Sequence, residues 1–301
     1  MHNIIGKRNN FFIFSSLLVL ASWLALAVWG LKPSIDFTGG SLLEFTFTQT
    51  RPAGPEIESR VESLGLGDVI VQPTGDRGAI LKLRFISEDE HQKILGIVRE
   101  TYEKDNNKVL EERLETIGPA VSSVIRERAW LAGLTVVVAI VAYIAYAFRK
   151  VSRPIASWKY GVAAIVALVH DVSIAMGVFA VLGRYFNVHV DIPFVVALLT
   201  ILGYSVNDTI VVFDRIRENL IRRSANNFAE VANVAVNETI WRSVNTSVTV
   251  LLVLSALFFF GGETIHFFTL ALIIGIFFGT YSSIFIASPL LVVWEGRQRR
   301  G

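Results

Sequence analysis

The chain has 301 residues, 52% hydrophobic and 18% charged, with a mean hydropathy of +0.52. A net charge of +2 leaves no overall basic field for nucleic acid, and the absence of cysteine excludes disulfides, thiolate metal sites and cysteine redox chemistry. The apolar residues gather into blocks of about 20, the length a helix needs to cross a hydrocarbon core of roughly 30 Å, so the chain reads as an integral membrane protein.

The first block, residues 11–30, follows Lys7 and Arg8. A positive start and the small residues around Ala25 and Ala27 would suit a cleavable signal peptide. The apolar run continues through Val28 and Trp29, however, and Trp23 and Trp29 suit a membrane interface, so a retained helix is expected. On either reading the polar segment that follows, residues 33–127, lies outside the cytoplasm and is long enough for one small domain. In it Leu43, Phe45 and Phe47 alternate with Glu44, Thr46 and Thr48, the period of a strand. Residues 55–67 begin with proline and end in glycine, as a helix does. Strands are expected at 68–72 and 79–85 around a turn. Ser87 and Glu90 form a capping box that opens a second helix, and 109–118 is the last strand. The order βαββαβ predicts a ferredoxin-like α+β domain.

Five further apolar blocks, near residues 130–148, 158–182, 192–213, 243–262 and 267–294, bring the expected membrane helices to six. Lys7 and Arg8, then Arg149, Lys150 and Arg153, then Arg215, Arg217, Arg222 and Arg223, then Arg297, Arg299 and Arg300 all fall on one side of this arrangement. The opposite short loops carry one arginine and two histidines. Positive residues mark the cytoplasmic side, which places both termini there. The chain organisation is therefore residues 1–32 (first helix), 33–127 (external domain) and 128–301 (helices two to six). Between helices four and five, residues 215–241 read as an amphipathic connector lying on the cytoplasmic surface.

An ionisable residue inside a membrane helix costs about 2.5–3.5 kcal/mol on insertion scales and so usually faces protein or a wet cavity. Asp208 is such a residue, accompanied by Tyr204, Ser205, Asn207 and Thr209, with the Tyr204 hydroxyl one turn away on the same face. His170 and Asp171 fall near the middle of helix three. Each set is open to two readings: a hydrogen-bonded tie between helices, or a carrier of protons in which imidazole and carboxylate act in series. Arg242 opens helix five beside Trp241, where a snorkelling interface residue is ordinary, but the polar run Ser243, Asn245, Thr246, Ser247 and Thr249 behind it suits a hydrated path. Gly275 and Gly279, with Ser283 a turn on, read as a close helix contact. No phosphate-binding loop, HExxH or nucleophile elbow occurs, so energy for any work must come from elsewhere. A membrane carboxylate can draw it from the membrane potential, about 2.3 kcal/mol per charge per 100 mV.

Three stretches, IDFTGGSLLEF after the first helix, GYSVNDTIVVFDRIREN at the end of the fourth and WRSVNTSVTV at the start of the fifth, resemble the SecD/SecF family of protein-export membrane proteins in the resistance-nodulation-division superfamily. The likeness covers the whole chain. It implies a non-enzymatic subunit of the bacterial inner membrane that pairs with SecD, associates with the SecYEG channel and, as further partners, YajC and YidC. It also implies use of the proton gradient to help draw out unfolded polypeptide that the SecA ATPase has pushed in. Protons would be the coupling ion, with no other cofactor, no metal and no nucleic acid, and membrane lipid around the helices. By position the resemblance makes Asp208 the membrane carboxylate of a proton pathway and Arg242 its helix-five arginine, with Asn207 and Tyr204 beside them. It leaves the part played by His170 and Asp171 open. Asp36, Gly39 and Gly40 are expected either to hinge the external domain or to form an ordinary turn into its first strand. The rival readings are a small-molecule or lipid exporter of the same superfamily and a passive scaffold.

Overall fold

Long apolar runs become helices and the alternating stretches become strands in a computed structural model that describes residues 2–104, 106–148, 156–223 and 227–298. A 3-10 turn at Ile5–Lys7 leads into α1 (Arg8–Trp29). Then come α2 (Ile35–Thr38), β1 (Gly40–Phe47), α3 (Gly54–Glu62), β2 (Ile70–Thr74), β3 (Gly78–Leu83), α4 (Glu88–Tyr102) and β4 (Val109–Ile117). The rest is helical: α5 (Pro119–Ala147), α6 (Ser157–Phe186), α7 (Ile192–Arg223), α8 (Phe228–Phe260), α9 (Glu263–Ser282), a π-helical turn at Ser283–Ala287, and α10 (Ser288–Gln298). The chain divides into two units, Met1–Lys32 with Leu131–Gly301, and Pro33–Trp130.

In the second unit the strands pair antiparallel in the order β2-β3-β1-β4. Leu43, Phe45 and Phe47 of β1 and Leu81 and Leu83 of β3 point to one face, where Ile57 and Val61 of α3 and Ile94 and Val98 of α4 close over them. Each large side chain buried in this way contributes roughly 1.5–3 kcal/mol. The capping box is formed: Ser87 Oγ accepts from the Glu90 backbone N–H while a Glu90 carboxylate oxygen accepts from the Ser87 N–H at 2.9 Å. Gly39 and Gly40 sit at φ +74° and +136°, and a Cβ on Gly40 would lie 2.6 Å from the Leu83 carbonyl oxygen. The pair makes the turn from α2 into β1, a backbone that side chains other than glycine rarely adopt.

Among the described residues, six helices are long and apolar enough to cross a membrane: α1, α5, α6, α7, α8 and the continuous run through α9, the π-turn and α10. Their ends depart from the sequence reading. Pro119 starts α5 well before the expected apolar block, because proline fits the first turn of a helix and no further proline follows within it. Where described, the expected surface connector is instead the stems of α7 and α8; its residues 224–226 lie outside the described residues. Arg215 donates to Glu238 at 2.7 Å and to Glu218 at 2.6 Å, and Asn219 donates to Glu238 at 2.7 Å, tying the two stems together. The apolar residues of that stretch, Phe228, Ala232, Ala235 and Val236, face protein rather than lipid and join a core with Ile4, Ile5, Phe213 and Ile216. Arg149, Lys150, Arg153, Arg299 and Arg300 lie outside the described residues, as do the side chains of Arg223 and Arg297.

Close packing of α7 on α9 sets the frame for the polar residues between them. A Cβ on Gly275 would fall 2.1 Å from Ile201 Cδ1 and one on Gly279 3.1 Å from Ser205 Cβ, so both glycines are needed for the helices to approach this closely. The last helix widens at the π-turn just before Pro289, which has no N–H for the helical ladder and crowds the carbonyl one turn back.

Candidate functional site

Asp208 is 9% exposed on α7. One carboxylate oxygen, Oδ1, accepts a hydrogen bond from Ser243 Oγ of α8, and Oδ2 has no hydrogen-bond partner among the described residues. Leaving a buried polar atom unpaired costs about 1–3 kcal/mol, more when it is charged, so the site is held at a free-energy cost that packing alone does not require. No hydrogen bond joins Tyr204 to Asp208 among the described residues. The phenol is long enough to pass the turn and reach α8, where its hydroxyl meets Ser247 Oγ at 3.0 Å, and Ser247 in turn hydrogen-bonds Thr280 of α9.

The polar run on α8 divides by helical spacing. Ser243 and Ser247, four residues apart, are buried against α7, whereas Arg242, Asn245, Thr246 and Thr249 are exposed. On α7, Thr200, Gly203 and Asn207 are exposed along one stripe. The two helices thus present polar side chains outward along their apolar spans, with Asp208 buried next to Asn207. No ion pair joins Arg242 to a carboxylate among the described residues.

His170 and Asp171 are brought into a separate arrangement on α6. Asp171 is fully buried, and its oxygens serve three donors: His170 Nδ1 at 2.8 Å on Oδ1, and Ser205 Oγ of α7 at 2.6 Å and Ser282 Oγ of α9 at 2.8 Å on Oδ2. His170 Nε2 is buried with no hydrogen-bond partner among the described residues, and its ring packs against Tyr281 and Phe278. No hydrogen bond joins this group to Asp208 among the described residues. Ser282 and Thr280 were not singled out from the sequence. The signal was present in the hydroxyl-rich Thr280, Tyr281, Ser282 and Ser283 within an otherwise apolar helix, where each hydroxyl needs a partner. Asp36 lies in α2, in the second unit with Gly39 and Gly40. Among the described residues no group of three His, Asp or Glu could hold a metal.

Residues 97–297 match the family described as "Protein export membrane protein SecD/SecF, C-terminal", and residues 25–50 match the "SecD/SecF GG Motif", which spans Gly39 and Gly40. The chain is 42% identical over 308 residues to the protein translocase subunit SecF of Thermobaculum terrenum, covering 99% of this chain and 95% of that protein. It is 40% identical to SecF of Anaerolinea thermophila (100% and 96% covered) and 36% identical to SecF of Pseudomonas aeruginosa (96% and 90%). Among solved structures it resembles SecDF of Thermus thermophilus, a translocon-associated membrane protein, at a TM-score of 0.83 and 33% identity over 98% of this chain; it spans 39% of the length of that chain.

Proposed function

This chain belongs to the SecD/SecF family of protein-export membrane proteins, and from that premise we propose that it is the auxiliary Sec translocase subunit in which Asp208 takes up and releases the protons that drive late steps of polypeptide export. The observation that carries the reading is a buried carboxylate on a membrane helix with one oxygen held by Ser243 and the other without a hydrogen-bond partner among the described residues. Such a group can gain or lose a proton without breaking an ion pair. Arg242, one residue from Ser243 and exposed on the same helix, is the cation that would bias it, with Asn207 exposed beside it on α7.

The chain is a transport subunit of the bacterial inner membrane, with SecD as its partner. The exposed polar stripe of α7 and α8 is the face such a partner would cover, because polar side chains at membrane depth are stabilised by protein rather than by lipid. We place both termini in the cytoplasm and the second unit outside it, from the sided distribution of basic residues. That unit has the ferredoxin-like arrangement, supported by its βαββαβ order and β2-β3-β1-β4 sheet. It would hold exported polypeptide on the far side of the SecYEG channel, with YajC and YidC as further partners and protons as the coupling ion in place of any nucleotide or other cofactor.

The test is preprotein secretion in cells depleted of their own subunit and supplied with this chain or with Asp208→Asn, after equal membrane levels and equal recovery of SecD are confirmed. Asparagine keeps hydrogen bonding and removes titration. Loss of secretion with an intact complex is the expected result. Normal secretion would overturn the proton reading and leave a passive scaffold.

A further inference from the structure

We infer that Asp171 is a positioning residue for the Asp208 site, a clamp that fixes the turn of α7 carrying Asp208 against α6 and the last membrane helix. The inference rests on the reading of Asp208 as the proton site.

Four observations carry it. First, the Asp171 carboxylate collects donors from three helices: His170 of its own α6, Ser205 of α7 and Ser282 of α9. Second, Ser205 is held twice, since its carbonyl oxygen also accepts from Ser283 Oγ at 3.3 Å. Third, the other hydroxyl of that helical turn, Thr209, pairs with the same Ser283 at 2.8 Å. Ser205 and Thr209 stand four residues apart and bracket Asp208, so both ends of its turn are anchored. Fourth, the adjacent serines that provide these anchors, Ser282 and Ser283, lie where the last helix passes from α to π. A π-turn is wider than an α-turn and occurs mostly as a single insertion, often at functional sites. Pro289 loosens the helix there, and Ser288 Oγ donates to the Ser283 carbonyl at 3.1 Å. Asp171 then selects which rotation the loosened helix adopts, the one that aims Ser282 at α6 and Ser283 at α7.

A proton relay from Asp171 to Asp208 fits these contacts less well. Among the described residues the Ser205 hydroxyl donates to Asp171, and Ser205 meets Ser283 through its carbonyl, which carries no proton to pass on. The path between the two carboxylates is therefore mechanical.

This separates two substitutions at one position. Asp171→Asn keeps an oxygen for the two serines and, with the opposite tautomer of His170, a donor for its Nδ1, so the clamp survives without the charge. Asp171→Ala removes it. We expect Asp171→Asn to export at close to the parental rate. Asp171→Ala, and the double variant Ser205→Ala with Ser282→Ala, should fall by about tenfold to a hundredfold at equal membrane levels, the scale on which ångström misplacement of a reacting group acts. The geometry is read separately in a chain carrying Ser283→Cys and Thr209→Cys, whose two thiols are its only ones. Oxidation should join them when residue 171 is Asp or Asn and fail when it is Ala, a readout confined to chains already inserted in the membrane and independent of export. An Asp171→Asn variant as defective as Asp208→Asn, with SecD recovered, would assign Asp171 a charge-carrying part and overturn the inference. So would an unchanged disulfide yield in Asp171→Ala. If Asp208→Asn exports normally, the proton reading falls while the disulfide result still decides whether Asp171 positions this turn.

Discussion

Asp208 and Glu90 are both carboxylates, and their surroundings give them opposite sensitivities. Among the described residues Asp208 has a single hydrogen bond, from Ser243. Ser243→Ala deprives it of that bond and leaves a buried carboxylate with none, a change worth about 1–3 kcal/mol in the placement of the group. Export should fall without being abolished, since Asp208 can still titrate, and Ser243→Thr, which restores the hydroxyl, should recover it; equal loss in both variants would count against the contact. Glu90, outside the membrane helices, is held by Arg84 at 2.6 Å and by the Ser87 backbone N–H, and these hydrogen bonds bring its pKa from 4.5 down to about 2. A depressed folded-state pKa contributes stability above the ordinary carboxylate value and loses it as the pH falls through the folded one. The cap on α4 should accordingly weaken between pH 4.5 and about 2. The difference between the parent and Glu90→Gln in pepsin cleavage around α4 should shrink over that interval; a constant difference would show that the pair does not hold the helix.

At the scale of elements, the contact of α7 with α9 makes the sharpest demand on residue size. Gly275→Leu would drive a side chain into Ile201, whose Cδ1 would be 2.1 Å from the new Cβ. Overpacking of this kind costs typically 1–3 kcal/mol or more, and both helices carry the polar anchors of the site. The variant should lose thermal stability in detergent, read by heating and counting the monodisperse fraction, and should export less; an unshifted transition would mean that the helices separate more easily than their packing implies. Such glycines were legible in the sequence, as were the alternating residues of β1 and the Ser87 and Glu90 cap, because each rests on local chemistry. Helix ends were not. The stems of α7 and α8 carry apolar residues at helical spacing, which describes a lipid-facing surface helix and a protein-facing stem equally well. Asp208, His170 and Asp171 announced themselves as ionisable residues in apolar runs, but their partners did not. Tyr204 reaches Ser247 and Ser282 reaches Asp171, and which hydroxyl meets which carboxylate across three helices depends on helix rotation, which a period-based reading cannot register.

Over the whole membrane unit, the exposed surfaces differ in kind. α5 shows Leu131, Leu134, Val138, Tyr143 and Tyr146 outward, an apolar surface that hydrocarbon suits. α8 shows Arg242, Asn245, Thr246 and Thr249 next to Asn207 of α7. Polar side chains along a membrane helix are stabilised by contact with protein rather than with lipid, so this second surface calls for another protein as its cover. The absence of cysteine makes the distinction measurable, because one introduced thiol is the only attachment point in the chain. A benzophenone probe attached through Asn245→Cys should cross-link to SecD when the two are produced together, whereas the same probe at Val138→Cys should cross-link mainly to lipid. Cross-linking of SecD from residue 138 but not from 245 would move the partner to the opposite side. It would also remove the reason for Asp208 to lie just inside the polar stripe, because a proton site working against a partner subunit has to sit where the two proteins meet.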